Sequence, residues 1–456
     1  MERIDVPMRA SAGGYYHNLM DMYRHLGIPL HPVRFLFVFA KAAAATVATA
    51  SRESRPARHG QNGRRKSCAS VGVDDGETTD GSVFESEAGT YFIHASNLHQ
   101  TPPPWPGNRG VLPHLLETAF LILCHFWFSL ACVLVQPGDE TFADYLRRIW
   151  IPRRYASQYL LPLMSSVSTC SHDEMLAFPA SDIVSYKRLS HGRQHYVVCG
   201  GVEQVQSSLV KGVKDVRLRS RVLDITPSNN GADGSIVRWQ TFAEDGLPGD
   251  VSEEVFDRVV LAVSPDVAGR IFKPLAKMMT RMPTIRVESS VLAPTGPSKE
   301  SFSVVENASS TACMHHAEGD TTAAQIITLK TRFSSSTSAR TEALHTMPCG
   351  VVVQTCPLNE TDPKRALQAA EFTRTLRTTE SRALVNSIMG EGRASCASGD
   401  KNSRMDMDDE HWVNGQDGVW ATGAWCWDGM VLLEGCVASA MRTADDFGVH
   451  VPWRKQ

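Results

Sequence analysis

The chain has 456 residues, 42% of them apolar and 21% charged, so it is long enough to bury a large core without disulfides or zinc. Lys and Arg total 46 against 49 Asp and Glu, a net charge of −3, which leaves no basic footprint for a nucleic-acid partner. The 11 cysteines are scattered and form no CxxC pair. They read as reduced, mostly buried thiols, and no basic n-region followed by an apolar run opens the chain, so the expected setting is cytoplasmic.

In chain order, Tyr15, Tyr16, Leu19, Met22, Tyr23 and Leu26 recur at helical spacing after Gly13-Gly14, with Gly27 as a C-terminal stop and Pro29 beyond it. Phe35-Leu36-Phe37-Val38-Phe39 predicts a buried strand. Residues 51–82 are polar and charged, with Arg64-Arg65-Lys66 inside them, and read as a solvated loop or disordered insertion. Apolar content returns at Tyr91-Phe92-Ile93 and stops at Pro102-Pro103-Pro104, an extended boundary. From 119 to 135 only His125 and Ser129 are polar. That window sits at the lower edge of a membrane span, but Glu117 and His125 favour a buried helix, leaving membrane attachment through 115–136 as the alternative.

Phe142, Tyr145, Leu146 and Ile149 are helix-spaced behind a Thr141 N-cap. Residues 296–346 are rich in Ser and Thr and predict loops with one strand over 324–329. Residues 363–391 predict a helix carrying Ala366, Leu367, Ala370 and Leu376, with Asp362 as N-cap and Pro363 in the first position. Residues 393–410 read as a polar loop.

Two segments carry chemistry. The first runs from Val197-Val198-Cys199-Gly200-Gly201 into a helix over 203–213, a strand through Val222 and a hairpin at Ile236-Val237 and Val255-Phe256. It closes with the apolar strand Val259-Val260-Leu261-Ala262-Val263 before Ser264-Pro265. Such a strand suits the middle of a parallel sheet, at whose carboxyl end ligands bind. The second is Gly418-Val419-Trp420-Ala421-Thr422-Gly423-Ala424-Trp425-Cys426-Trp427-Asp428-Gly429-Met430, with Val431 after it. Here a short strand meets Gly423, then an aromatic turn, then Gly429 opening a helix whose N–H groups attract anions. Gly435, Ala438, Ser439 and Ala440 let that helix pack closely. Asp428 is an alternative N-cap, and Trp425 and Trp427 either face a flat cofactor or fill core.

Together these segments resemble the flavin-containing amine oxidase and phytoene-desaturase-like superfamily. The resemblance covers about half of the chain and implies an α/β fold. An FAD/NAD(P)-binding Rossmann-like domain, N-terminally incomplete, would be assembled from 1–40, 195–275 and 410–447, with a substrate domain from 90–195 and 280–400. It implies FAD as cofactor and a small-molecule substrate. Val222 corresponds to the strand that meets the adenine side of FAD. Gly423, Gly429, Met430 and Val431 correspond to the turn and helix that hold its pyrophosphate and flavin. Ile4-Asp5-Val6-Pro7-Met8-Arg9 resembles a segment passing the flavin ring, which makes Arg9 a further contact. The family's opening GxGxxG is absent, so the chain is expected to begin after that unit, and 51–82 and 296–346 read as insertions or mis-joined coding sequence.

The implied activity is an FAD-dependent oxidoreductase removing hydride from a C–N or C–C bond of a small or lipophilic substrate. The alternative is a truncated, non-catalytic relative with weak or no FAD binding. No catalytic base stands out, and Lys273 and Lys277 lack distinctive context. His315-His316 beside Cys313 and Glu318 reads as a solvated loop, so no metal site is expected. Contiguous Ser171-His172-Asp173 is no evidence for a triad, which is defined in space. Nothing in sequence marks Cys170 or Cys426 as reactive.

Overall fold

A computed structural model describes residues 5–6, 10–42, 89–95, 105–106, 110–228, 234–294, 325–333, 339–347, 349–390 and 412–454. Arg9, the 51–82 tract, Pro102-Pro103-Pro104, His315-His316 and the 393–410 loop lie outside these residues.

The first described elements are β1 (Ser11–Ala12), α1 (His17–His25) and β2 (Leu30–Val33). The helix forms where its spacing predicts and buries Leu19, Met20, Met22 and Tyr23. Gly27 ends it at φ +67, the left-handed conformation that only glycine adopts freely. The Phe-rich run becomes β3 (Phe35–Lys41), antiparallel to β4 (Gly89–Ala95).

The apolar window becomes α2 (Val111–Leu134), and here the expectation of a buried helix fails. One face, with Leu121, Cys124, Phe128, Ala131 and Cys132, is buried, whereas Leu116, Ile122, Leu123 and Phe126 on the other face are each more than 60% exposed. The reason is geometric: a layer of short helices covers α2 from one side only. That layer is α3 (Phe142–Arg148), α4 (Arg153–Tyr155), a π turn (Ala156–Leu160), α5 (Leu161–Ser168), α6 (His172–Leu176) and α7 (Ala180–Ser190). Thr141 caps α3 as predicted, its hydroxyl accepting from the Asp144 N–H at 3.2 Å. Glu117 points into the body, where Arg154 and the Tyr159 hydroxyl both donate to it.

β5 (His195–Val198) inserts between β1 and β2 as an antiparallel strand. Gly200 and Gly201, at φ +74 and +82, turn the chain into α8 (Val202–Val210). β6 (Ser220–Pro227), β7 (Ser235–Phe242) and β8 (Pro248–Phe256) form a separate antiparallel sheet that contains the expected hairpin. β9 (Val259–Leu261) follows, then α9 (Pro265–Ile271) and α10 (Lys273–Met279). Among the described residues β9 has one strand partner, and Val260 is 43% exposed, so it is not the covered central strand its apolar sequence suggests.

β10 (Thr284–Leu292), β11 (Gln325–Arg332), β12 (Arg340–Thr346), β13 (Val352–Thr355) and β14 (Ala366–Thr375) join β3 and β4 in a seven-stranded sheet. Its order is β14-β10-β13-β12-β11-β3-β4, and β11 lies parallel to β3 from Gln325↔Phe35 to Thr331↔Lys41. The strand predicted over 324–329 is β11, and the Ser/Thr-rich tract holds a second strand, β12. The helix predicted over 363–391 is corrected. Residues 366–375 pair with β10 along almost its whole length, and helix appears only as α11 (Thr379–Ile388). The ladder overrides the local helix-like spacing. The Asp362 carboxylate instead accepts from the Lys364 N–H at 3.0 Å in a turn. The chain closes with β15 (Val419–Ala421) and α12 (Leu433–Asp446).

The class is mixed α/β, as expected. The parallel pair β9 and β15 has α9, α10, α11 and α12 around it. One core gathers α1 to α7, and a second gathers Phe272, Leu275, Val385, Trp412 and Trp425 around that pair.

Replacing Glu117 by Ala removes the acceptor of two side chains on the covered face of α2. It is expected to cost about 1–3 kcal/mol, read as a lower midpoint in urea unfolding, with helix content unchanged by circular dichroism.

Candidate functional site

The carboxyl ends of β9 and β15 define the place where a ligand would approach. Their register is Val419↔Val259 to Ala421↔Leu261, and the Thr422 N–H continues it by donating to the Leu261 carbonyl at 3.0 Å. Gly423 follows at φ +137, where a side chain would be strained. Its N–H donates to Ser439 Oγ at 2.9 Å, and the Thr422 and Ser439 hydroxyls lie 2.9 Å apart. Ser439 therefore fastens α12 to the end of β15.

The aromatic turn is core on one side and cover on the other. The buried Trp425 donates from its indole to the Val263 carbonyl at 2.9 Å. Trp427 donates from its indole to the Met430 carbonyl, also at 2.9 Å. Its ring lies over two glycines. A Cβ on Gly429 would sit 2.7 Å from the ring, and one on Gly435 would sit 2.3 Å from its nitrogen and 2.6 Å from the Ala424 carbonyl oxygen. Met430 and Val431 are buried. Gly429 does not open the helix: α12 begins at Leu433, four residues on, because the chain first loops under Trp427.

Asp428 is not an N-cap. Arg382 takes it in a two-pronged ion pair, with Nη2 to Oδ2 at 2.9 Å, and also donates to Ser181. That guanidinium holds the Asp428 carboxyl below the usual carboxylate range. Beside it, the fully buried Arg377 donates to the carbonyls of Trp425 at 3.2 Å and Trp427 at 2.9 Å. Asp182, also buried, lies 4.0 Å from Arg377 and 3.7 Å from Arg382. Burial pushes the Asp182 carboxyl up to about 6, against the pull of the two guanidinium groups, and burial lowers the Arg377 guanidinium. Among the described residues, Nε and Nη1 of Arg377 and Oδ2 of Asp182 lack a hydrogen-bond partner.

Glu434, in the first turn of α12, is fully buried and reaches the N-terminus of α1. Its carboxylate accepts from the N–H groups of Asn18 and Leu19 at 3.0 and 3.1 Å and from the Asn18 side chain at 2.8 Å, so the chain's own anion fills that helix end.

Of the residues expected to hold a cofactor, Gly423, Gly429, Met430 and Val431 converge here. Val222 lies apart, 36% exposed on the edge strand β6, opposite Trp239. Sequence reasoning missed Arg377, Arg382 and Asp182, because nothing in their local spacing ties them to residues 425–428. Nor does local sequence show that Glu434 reaches α1. Ser171 caps α6 and the buried His172 ring pairs with Thr341 at 2.9 Å, so Ser171-His172-Asp173 forms no triad. Burial raises the thiols of Cys170 and Cys426, which makes them inert.

Residues 153–300 match the family model described as flavin containing amine oxidoreductase. The match is to this segment alone. It spans about a third of the chain, from α4 through β10, and includes the Gly200-Gly201 turn and the β6–β8 sheet. The family is one of flavin-dependent oxidoreductases, so flavin is the cofactor it implies. No curated protein matches the chain in sequence. Among solved structures, the cyclohexylamine oxidase from Brevibacterium oxydans IH-35A is 10% identical over 97% of this chain and 88% of its own, with a TM-score of 0.45. A putrescine oxidase bound to putrescine is 11% identical over 95% and 85%, with a TM-score of 0.42. A reduced UDP-galactopyranose mutase is 8% identical over 70% of each chain, with a TM-score of 0.38.

The described residues do not fit a bound flavin dinucleotide as they stand. Trp427 covers Gly429 and Gly435, Ser439 takes the Gly423 N–H, and Met430 is fully buried. Two cavities lie elsewhere. One, of about 340 Å³, is an open groove between Gly27, Pro29 and Gln204; the other, of about 10 Å³, lies between Met20, Tyr196 and Leu433. Neither touches Val222, Gly423, Gly429, Met430 or Val431.

Arg377→Met removes the donor to the Trp425 and Trp427 carbonyls and leaves Asp182 poorly compensated. The folded Asp182 carboxyl binds its proton more tightly than an unfolded one. Its ionisation therefore costs stability as pH rises from about 4 through about 6, and Arg377 offsets that cost. The variant is expected to lose about 3–5 kcal/mol at pH 8 and clearly less at pH 5, measured by urea unfolding at both. Equal losses at the two pH values would show that Asp182 and Arg377 are uncoupled.

Proposed function

We propose that the protein is a relative of the FAD-dependent amine oxidoreductases in which flavin is held weakly or not at all. The observation that carries this reading is the Trp427 indole seated on Gly429 and Gly435. A dinucleotide needs close backbone approach at such glycines and open N–H groups at a helix start. Here an aromatic ring takes the glycine surface, and the helix begins only at Leu433, four residues beyond Gly429. The scaffold would persist as a folded body or a partner surface.

A second reading is favoured by the family match over 153–300. In it the protein is an active FAD-dependent oxidoreductase removing hydride from a C–N or C–C bond of a small or lipophilic substrate. The FAD-binding domain would comprise 1–40, 195–275 and 410–447, and the substrate domain 90–195 and 280–400. Arg9, Val222, Gly423, Gly429, Met430 and Val431 would touch the cofactor, and Trp427 would leave its two glycines to admit it. Bound flavin would supply the redox step, while the chain would orient substrate and exclude water.

Titration of FAD into the purified full chain, followed by flavin fluorescence and visible absorbance, separates the two. The first reading expects colourless protein without stoichiometric quenching. It also expects Trp427→Ala, with its melting temperature recorded alongside, to gain roughly tenfold or more in affinity, about 1.4 kcal/mol. Protein that purifies yellow with one flavin per chain would overturn it in favour of the active enzyme.

A further inference from the structure

α2 is long and apolar enough to cross a bilayer, yet only 33% of its most apolar window is buried. A core helix of a soluble protein would be covered on most sides; this one is covered on one. Its open face carries Leu115, Leu116, Ile122, Leu123, Phe126 and Trp127, with the exposed Ala119 completing a stripe at spacings of three and four that runs much of the helix's length of about 36 Å. Exposed apolar faces of this extent mark an interaction site.

The helix is fastened to the body and not free to stand across a membrane. Glu117 on the covered face takes Arg154 and Tyr159, and the Trp127 indole donates to the Ile149 carbonyl at 2.7 Å. The last contact brings Trp127 to the backbone of the residue before Trp150, which is 85% exposed and held at φ +59. Large aromatic residues rarely adopt that conformation. Here it turns the indole outward from a loop whose other apolar members, Ile149 and Ile151, are buried.

Four exposed arginines flank Trp150: Arg147, Arg148, Arg153 and Arg154. Arg148 and Arg154 are tied to Glu140 and the mostly buried Glu117. Arg147 meets Asp144 in a pair exposed on both sides, which holds its charge only loosely. Arg147 and Arg153 are thus the cations best placed to meet an outside anion.

We propose that the open face of α2 and the loop carrying Trp150 form an in-plane docking surface for an anionic lipid bilayer. Leu, Phe and Trp side chains enter the acyl boundary, Trp150 and Trp127 sit at headgroup depth, and Arg147 and Arg153 meet headgroup phosphates and carboxylates. Charge complementarity selects this occupant over a second copy of the chain, because a two-fold contact would bring two such cationic loops to one interface. The surface is independent of whether the protein holds flavin.

The test is flotation of the full chain with phosphatidylcholine vesicles, with and without phosphatidylserine. The wild type is expected to float with the serine-containing vesicles and to be released by alkaline carbonate. Leu123→Glu with Phe126→Glu should abolish flotation at an unchanged melting temperature. Arg147→Gln and Arg153→Gln should each weaken it roughly fivefold on serine-containing vesicles only. Flotation retained by the Leu123→Glu, Phe126→Glu protein would overturn the proposal. Carbonate-resistant binding would replace it with a membrane span. A concentration-dependent dimer that this double variant dissolves, without vesicle binding by the wild type, would assign the face to a second copy.

Discussion

A buried cation governs how the two halves of the molecule meet. Arg377 sits at the corner between β14 and α11 with no exposure, and its guanidinium donates to the backbone of the aromatic turn. A cation in that position costs several kcal/mol unless it is paired and hydrogen-bonded. Asp182 from α7 supplies the countercharge, and the Trp425 and Trp427 carbonyls supply acceptors. One side chain thus ties the helical layer, the seven-stranded sheet and the C-terminal turn to each other. The shape of that turn, with Trp427 over Gly429 and Gly435, follows from where its carbonyls must point.

That dependence explains the closed site. Trp427 lies over Gly429 and Gly435, and the proposed function rests on that cover. Glu434 meanwhile caps α1, which draws α12 onto the first helix. The matched segment over 153–300 includes β9 and, just beyond it, the Val263 carbonyl that accepts from the Trp425 indole.

Much of the fold was legible where local signals agree with tertiary demand. The α1 spacing with Gly27, the Phe35 strand, the Thr141 cap, the Gly200-Gly201 turn and the hairpin at Ile236 all rest on short-range chemistry, and all form. The failures share one cause. Residues 366–375 look helical in isolation, but β10 offers them a complete ladder. The α2 window looks buried because apolar residues surround it, but covering a helix requires neighbours whose position no local pattern reveals. The site residues divide in the same way: the glycines and tryptophans of the turn were visible as a motif, whereas Arg377, Arg382 and Asp182 meet it only through the fold.

The Glu434 carboxylate has a consequence for how the protein comes into being. It caps α1 from 416 residues away in sequence, and β3 likewise takes its parallel partner β11 across a long separation, Gln325↔Phe35. During synthesis α1 emerges with these N–H groups unanswered, and their acceptor is made 416 residues after Asn18. Contacts of such separation fold slowly, and they leave the early segments exposed for the length of translation. A chain interrupted shortly before Glu434 would therefore lose order at α1 as well as at the break, and would present both unfinished cores to chaperones and proteases.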